Sequence, residues 1–281
     1  MSSEFTLGPA MLFVPGDRPE RFAKAAERAD AVIIDLEDAV LPGARDAARE
    51  HVVSTPLDPD RTVVRVNPVG SDDFEKDLAA LRRTKYRWVM LAKTESAAQT
   101  QLLAGFSVVA LCETALGVAR AQEIAQAENV AALMWGSEDL VASLGGFSSQ
   151  YDDGRFRGVI RYGRAAVHVA ARAFGKESID SVVLDIADHE RLLGESRDAF
   201  ATGYVAKACI HPGQVSVIRD GFRPSREQRE WARRVLDAAK NELGAFRFEG
   251  AMVDEVVVKR ARRLSGQSFS LGVEESTSWL S

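Results

Sequence analysis

The chain has 281 residues, 46% of them hydrophobic and 27% charged, and its 36 Lys and Arg against 41 Asp and Glu leave a net charge of −5. This is the composition of a folded protein with a full core, and it excludes collagenous and disulfide-stapled chains. It also gives no overall basic character of the kind that nucleic acid demands, and no apolar stretch reaches the ~20 residues of a membrane span.

The first residues, MSSEFTLGPAMLFVPGDR, lack a basic leader and break their apolar run at Pro15, so they do not read as a signal peptide. Short apolar, β-rich runs then recur at 11–14, 31–36, 62–66, 88–92, 107–111, 131–135, 179–186 and 206–210, which predicts eight strands. Between most of them lie amphipathic segments rich in Ala, Arg and Glu, which predict helices over 18–29, 43–51, 74–83, 97–103, 117–127, 160–174 and 190–202. Strict alternation of strand and helix implies parallel crossovers. Eight units in about 250 residues match a (β/α)8 TIM barrel, with an open doubly wound sheet as the alternative.

After the eighth strand come Pro224, a helix over 226–243, a loop through Gly250 and an amphipathic segment over 255–264. The expected organisation is a barrel over 1–222, a C-terminal helical extension and lid over 223–264, and a Ser/Gly-rich tail over 265–281 that is expected to be mobile. Cys112 and Cys209 sit among apolar, β-branched residues and read as buried thiols, so a reducing cytoplasm is the expected compartment.

A parallel barrel builds its site at the C-terminal ends of its strands. The residues there are Pro15-Gly16-Asp17-Arg18, Asp35-Leu36-Glu37-Asp38, Arg65-Val66-Asn67, Lys93-Thr94-Glu95, Glu113-Thr114, Ser137-Glu138-Asp139, Asp185 and His211-Pro212. Glu113 and Asp139 follow consecutive strands and are the candidate ligands of a hard divalent ion, Mg2+ before Zn2+, because no His/Cys cluster lies nearby. A salt bridge to Arg120 or another base explains them equally well. Arg65 and Asn67 stand at alternate positions and are expected to share a face, where a fixed cation suits an anion or a developing enolate. The competing reading pairs Arg65 with Asp35 or Glu37. Arg18 and Lys24 flank the start of the first helix, a place that suits phosphate, although a solvated helix face accounts for Lys24 as well. His211 reads as a structural residue rather than a catalyst.

The segments FVPGDRPERFAKA, DLEDAV, VRVN, LCETALGV, WGSEDL followed by LGG, GYVAKACIHPGQV and FEGAMVD, in this order, resemble the citrate lyase β-subunit-like family of the HpcH/HpaI aldolase superfamily. The resemblance runs from about Leu12 to Asp254. It implies a (β/α)8 barrel, a homotrimer or hexamer, Mg2+, and cleavage or formation of a carbon–carbon bond β to an acyl-CoA thioester. Carried over by position, it implies that Glu113 and Asp139 are metal ligands and that Arg65 stabilises the enolate. Arg18 and Lys24 then meet the CoA phosphates, and Asp254 is a proton-transfer residue on a lid given by a neighbouring subunit. Two departures stand out: Ala92 where relatives often carry proline, and Glu255 where many have a short residue followed by proline.

The implied reaction is a reversible Claisen-type lyase or synthase reaction of an acyl-CoA with an α-keto acid, with malyl-CoA or citramalyl-CoA as candidate thioesters. Three other readings stay open. One is a citrate lyase β subunit working on a thioester of an acyl-carrier protein, another a non-catalytic barrel that binds CoA esters, and the third an aldolase of free hydroxy acids. No nucleic-acid or membrane partner is expected.

Overall fold

The computed structural model describes residues 5–240, 242 and 244–266. Eight parallel strands close into a barrel in sequence order: β1 Ala10–Pro15, β2 Ala31–Asp35, β3 Thr62–Val66, β4 Trp88–Leu91, β5 Ser107–Cys112, β6 Val130–Trp135, β7 Glu177–Asp180 and β8 Ala206–Cys209. The last strand pairs back onto the first, with Ala10 opposite Lys207 and Leu12 opposite Cys209, so the sheet has no open edge and the doubly wound alternative falls. The fold is a (β/α)8 barrel with a C-terminal helical extension.

Alternation along each strand divides the core into two layers. Met11, Ile33, Val63, Met90, Val109 and Met134 fill the interior, while their neighbours, among them Leu12, Ile34, Val64 and Leu133, pack outward with the helices. The same alternation turns Asp35, Arg65 and, just past the end of β5, Glu113 inward above the apolar plug.

Several expected elements change in detail. The segment 117–127 breaks at Arg120 into two short helices, Ala115–Ala119 and Ala121–Ala125. Strand β7 ends at Asp180 and not at 186, so Asp185 lies in a loop, where its carboxylate accepts from Ala187 N at 2.9 Å. Two helices were not expected, Ser137–Ser143 and Gln214–Gly221. Each is at most eight residues long, too short for helical periodicity to stand out.

The outer face of β7 and β8 carries a buried ion network. Lys207, with no exposed surface, donates to Asp180 at 2.9 Å and to Glu195 at 3.0 Å. Asp180 also accepts from Arg164 Nε at 3.0 Å and from the indole N–H of Trp135 at 2.8 Å. Burial alone would raise the Asp180 pKa, but Lys207 and Arg164 reverse that and hold it at about 2. A depressed carboxyl pKa gives stability that is present above the unfolded value near 3.8 and lost as pH falls through about 2. Asp180→Asn should therefore cost about 3 kcal/mol at neutral pH. Urea unfolding should show that cost, and it should shrink as the pH is taken below 4, since the unfolded carboxyl titrates near 3.8. A pH-independent cost would assign the effect to packing.

The chain divides into two units, Met1–Phe222 and Arg223–Ser281. In the second, the helix Arg226–Ala239 opens on a capping box between Ser225 and Gln228, and it packs with the helix Glu255–Leu264. A hairpin of β9 Phe246–Phe248 and β10 Ala251–Val253 links them, and Arg260 lies 5.2 Å over the Trp231 ring. The expected mobile tail falls outside the described residues beyond Gly266.

Candidate active site

Asp35 and Arg65 are direct partners in the β2–β3 register, so the barrel itself brings them together. The pair is bidentate: Arg65 donates through Nε to one carboxylate oxygen at 2.7 Å and through a terminal nitrogen to the other at 2.6 Å. Asp35 also accepts from the backbone N–H groups of Glu37 and Ala39, both at 3.0 Å. The remaining terminal nitrogen of Arg65 lies 3.1 Å from Glu37, and the guanidinium carbon sits 5.0 Å over the Phe13 ring. Burial opposes the charge of Arg65, yet Asp35, with Glu37 and Glu113, more than offsets it and raises its pKa. The reading that pairs Arg65 with its neighbouring acids is correct for this structure, and it leaves the guanidinium fixed in orientation. Asn67 does not share the face of Arg65. Its side chain turns outward to donate to Asp77 at 2.8 Å and to the Leu36 carbonyl at 2.9 Å.

Across the barrel, Cys112 is the register partner of Trp135, which sets the next residues, Glu113 and Gly136, side by side. A Cβ on Gly136 would stand 2.8 Å from a Glu113 carboxylate oxygen, so the acid occupies the space that a side chain would take. The other oxygen of Glu113 accepts from Lys93 N at 3.1 Å. The following Thr114 caps the helix Ala115–Ala119, accepting from Gly117 N at 3.0 Å and donating to Glu95 at 2.7 Å. Glu113 is only 3% exposed. Burial and the Asp139 charge together push its pKa up to about 8, against the pull of Arg65 and Lys93.

Asp139 stands in the first turn of the helix Ser137–Ser143, not at the end of a strand. Successive helical residues diverge by about 100°. Glu138 accordingly turns away to accept from Ser149 at 2.6 Å and Ser137 at 3.0 Å, while Asp139 reaches Lys93 Nζ at 3.3 Å. The cation beside Asp139 is thus Lys93 and not Arg120. The Lys93 ammonium also bonds Glu37 and lies 3.4 Å from Asp38. Desolvation lowers its pKa, but the bond to Glu37 and the nearby acids reverse this and raise it. Glu37, 3% exposed, has its pKa raised by burial despite Arg65 and Lys93.

One cluster therefore contains Arg65, Glu113 and Asp139 together with Asp35, Glu37 and Lys93. Arg18 and Lys24 stand apart from it. Arg18 precedes the 3-10 turn Pro19–Arg21 with its side chain 56% exposed and 3.9 Å from Asp17, and Lys24 is an exposed residue of the helix Phe22–Arg28. His211 is exposed, and its ring nitrogen accepts from Gly213 N at 3.1 Å. Asp254 belongs to the second unit, where it caps the helix Glu255–Leu264 by accepting from Val257 N at 3.0 Å.

No three His, Cys, Asp or Glu side chains among the described residues form a ready-made metal cage. A Mg2+ ion does not need one, because one or two carboxylates with water and substrate oxygens suffice. The donors fit: two acids joined through Lys93, one of them with its pKa raised by burial and then by the other's charge, all oxygen and no sulfur or imidazole.

The sequence profile of the HpcH/HpaI aldolase/citrate lyase family matches residues 9–107 and 104–212, which spans the eight barrel strands and the rim residues described above but not Asp254 of the second unit. The chain belongs to that family. It is 53% identical to the citrate lyase subunit beta-like protein of Mycobacterium tuberculosis over 94% of this chain and 97% of that protein. The mitochondrial citramalyl-CoA lyase of Homo sapiens is 31% identical over 90% of this chain and 83% of its own length. Among solved structures, protein CitE of M. tuberculosis in complex with magnesium, acetoacetate and coenzyme A superposes with a TM-score of 0.89 at 53% identity. That alignment covers 92% of this chain and 97% of the other.

The pairing of Glu37 with Arg65 was visible in the sequence, but the part of Lys93 in the cluster was not. The bonds from Lys93 to Glu37 and to Asp38 join residues 56 and 55 positions apart.

Proposed function

We propose that the chain is a Mg2+-dependent carbon–carbon lyase or synthase of a 3-hydroxyacyl-CoA such as malyl-CoA or citramalyl-CoA. The observation that carries this reading is the buried acid Glu113, joined to Asp139 through Lys93, whose N–H meets the one at 3.1 Å and whose ammonium stands 3.3 Å from the other. It stands in one cluster with a guanidinium already fixed by Asp35. Glu113 and Asp139 would hold the ion. When bound, Mg2+ supplies a Lewis acid for the hydroxyl or keto oxygen and carboxylate of the fragment that is not bound to CoA.

Arg65 would meet the negative charge that develops on the thioester oxygen as the acetyl group becomes an enolate. Its bidentate partner supports this, since a donor held in advance has no reorganisation to pay at the moment of reaction. Arg18 and Lys24 would take the CoA phosphates. Asp254, given by a neighbouring copy in a homotrimer or hexamer, would move the proton on the acetyl methyl. Buried free thiols at Cys112 and Cys209 suit a reducing, cytoplasmic setting.

Asp254→Asn tests the proton-transfer role cleanly. Asn is as good a helix cap as Asp, so the helix Glu255–Leu264 should keep its stability while kcat falls by about 100-fold. A thermal midpoint that drops together with the rate would leave Asp254 with a capping role alone.

The substrate is tested by incubating the purified chain and Mg2+ with malyl-, citramalyl- and citryl-CoA and identifying the products by mass spectrometry. Cleavage of one of them, abolished by chelator, supports the reading. Turnover only when the thioester is carried by an acyl-carrier protein would favour a citrate lyase β subunit, for which several relatives are named. Binding of CoA esters without turnover would make the barrel non-catalytic, and cleavage of the free hydroxy acids would make it an aldolase indifferent to CoA.

A further inference from the structure

Lys93 combines two features that the proposed chemistry leaves unexplained. Its backbone is left-handed, with φ of 48°, a conformation that among the described non-glycine residues only Glu249 shares. A side chain pays for that conformation, so something must hold it there. The conformation points the Lys93 N–H at Glu113, 3.1 Å away, while its ammonium bonds Glu37 and stands 3.3 Å from Asp139 and 3.4 Å from Asp38. One residue therefore touches both proposed ligands, one through its backbone and the other through its charge. It is the cation paired with Asp139 among the described residues.

The balance of charge makes the arrangement intelligible. Asp35 takes two nitrogens of Arg65 and Glu37 lies 3.1 Å from the third, so two cations, Arg65 and Lys93, face five acids, Asp35, Glu37, Asp38, Glu113 and Asp139. Buried and crowded acids are stable only with a counter-ion. Lys93 supplies one unit of charge where a divalent ion would supply two.

We propose that Lys93 is a positioning residue and internal counter-ion of the metal site. Its ammonium holds Asp139 when no ion is present, withdraws to Glu37 and Asp38 when one binds, and so weakens and tunes the affinity for it. This rests on the assignment of Glu113 and Asp139 as ligands.

The test is a titration of the metal-free chain with Mn2+, followed by the electron paramagnetic resonance signal of the free ion. It is run on the unmodified chain and on Lys93→Gln, Lys93→Asn and Lys93→Arg. Asn tolerates the left-handed backbone, so it removes the charge while keeping the N–H on Glu113. Both neutral variants should bind Mn2+ at least about tenfold more tightly, because a like charge within a few ångströms of the ion has gone. A merely structural lysine could not give that result, since loosening the site weakens binding. Lys93→Arg keeps the charge and should stay within about threefold of the parent.

Equal or weaker Mn2+ binding by the neutral variants overturns the proposal, as does tenfold tightening by Lys93→Arg. If Lys93→Gln does not fold, Lys93→Asn, which suits the left-handed backbone, still decides. Should the unmodified chain itself take up no Mn2+, the metal assignment falls first and this inference with it.

Discussion

Glu113→Gln combined with Asp139→Asn will abolish divalent-ion binding and bring turnover to background while the barrel stays folded. Both changes keep shape and remove charge. Glu113 is buried, and the charge of Asp139 helps push its pKa up to about 8, so the two acids work against each other when no ion is present. Removing that repulsion should leave thermal stability equal or higher. Lys93 keeps Glu37 and Asp38, and the Gln carbonyl can still accept from Lys93 N, so no buried group is stranded. Loss of function with a midpoint at or above that of the parent is the signature of a functional site, since a structural ion pair would lose stability on neutralisation. Full turnover of the double variant in chelator would remove both residues from the chemistry.

Arg65→Lys should lower kcat by about 100- to 1,000-fold, the usual cost of losing one preorganised donor to a developing oxyanion. The charge remains, so Asp35 and Glu37 still have a cation between them and the fold should persist. What disappears is the planar fork that holds two Asp35 oxygens while a third nitrogen approaches Glu37. The loss should appear in kcat far more than in KM, because a donor in the proposed role acts where charge develops and not where the substrate rests. An unchanged kcat would confine Arg65 to holding β2 and β3 together, and a global loss of structure would do the same.

The barrel was readable because its strands are buried on both faces and so appear as short apolar runs, and because the chain alternates strand and helix without interruption. Glu113 and Arg65 were readable for a related reason: a charge at the end of an apolar run needs a purpose. What escaped depends on turns and on distant partners. Asp139 was placed on a strand end, and only the short helix Ser137–Ser143 explains why it and not Glu138 faces Lys93. Strand β7 was drawn too long because the apolar residues 182–184 continue its pattern, so Asp185 was named where Asp180 actually ends the strand. The outward turn of Asn67 follows from Asp77, on a helix ten residues later, which local alternation cannot foresee.

Gly136 gives a way to sort related sequences. Even the smallest side chain there would meet the Glu113 carboxylate at 2.8 Å, so the acid and the glycine form one unit although 23 residues separate them. A homologue that keeps both acids but carries alanine or anything larger at this position must have moved its glutamate. Scoring sequences for the acids alone would count such a barrel as competent, whereas scoring the glutamate and glycine jointly would set it aside as a divergent branch whose chemistry needs separate proof.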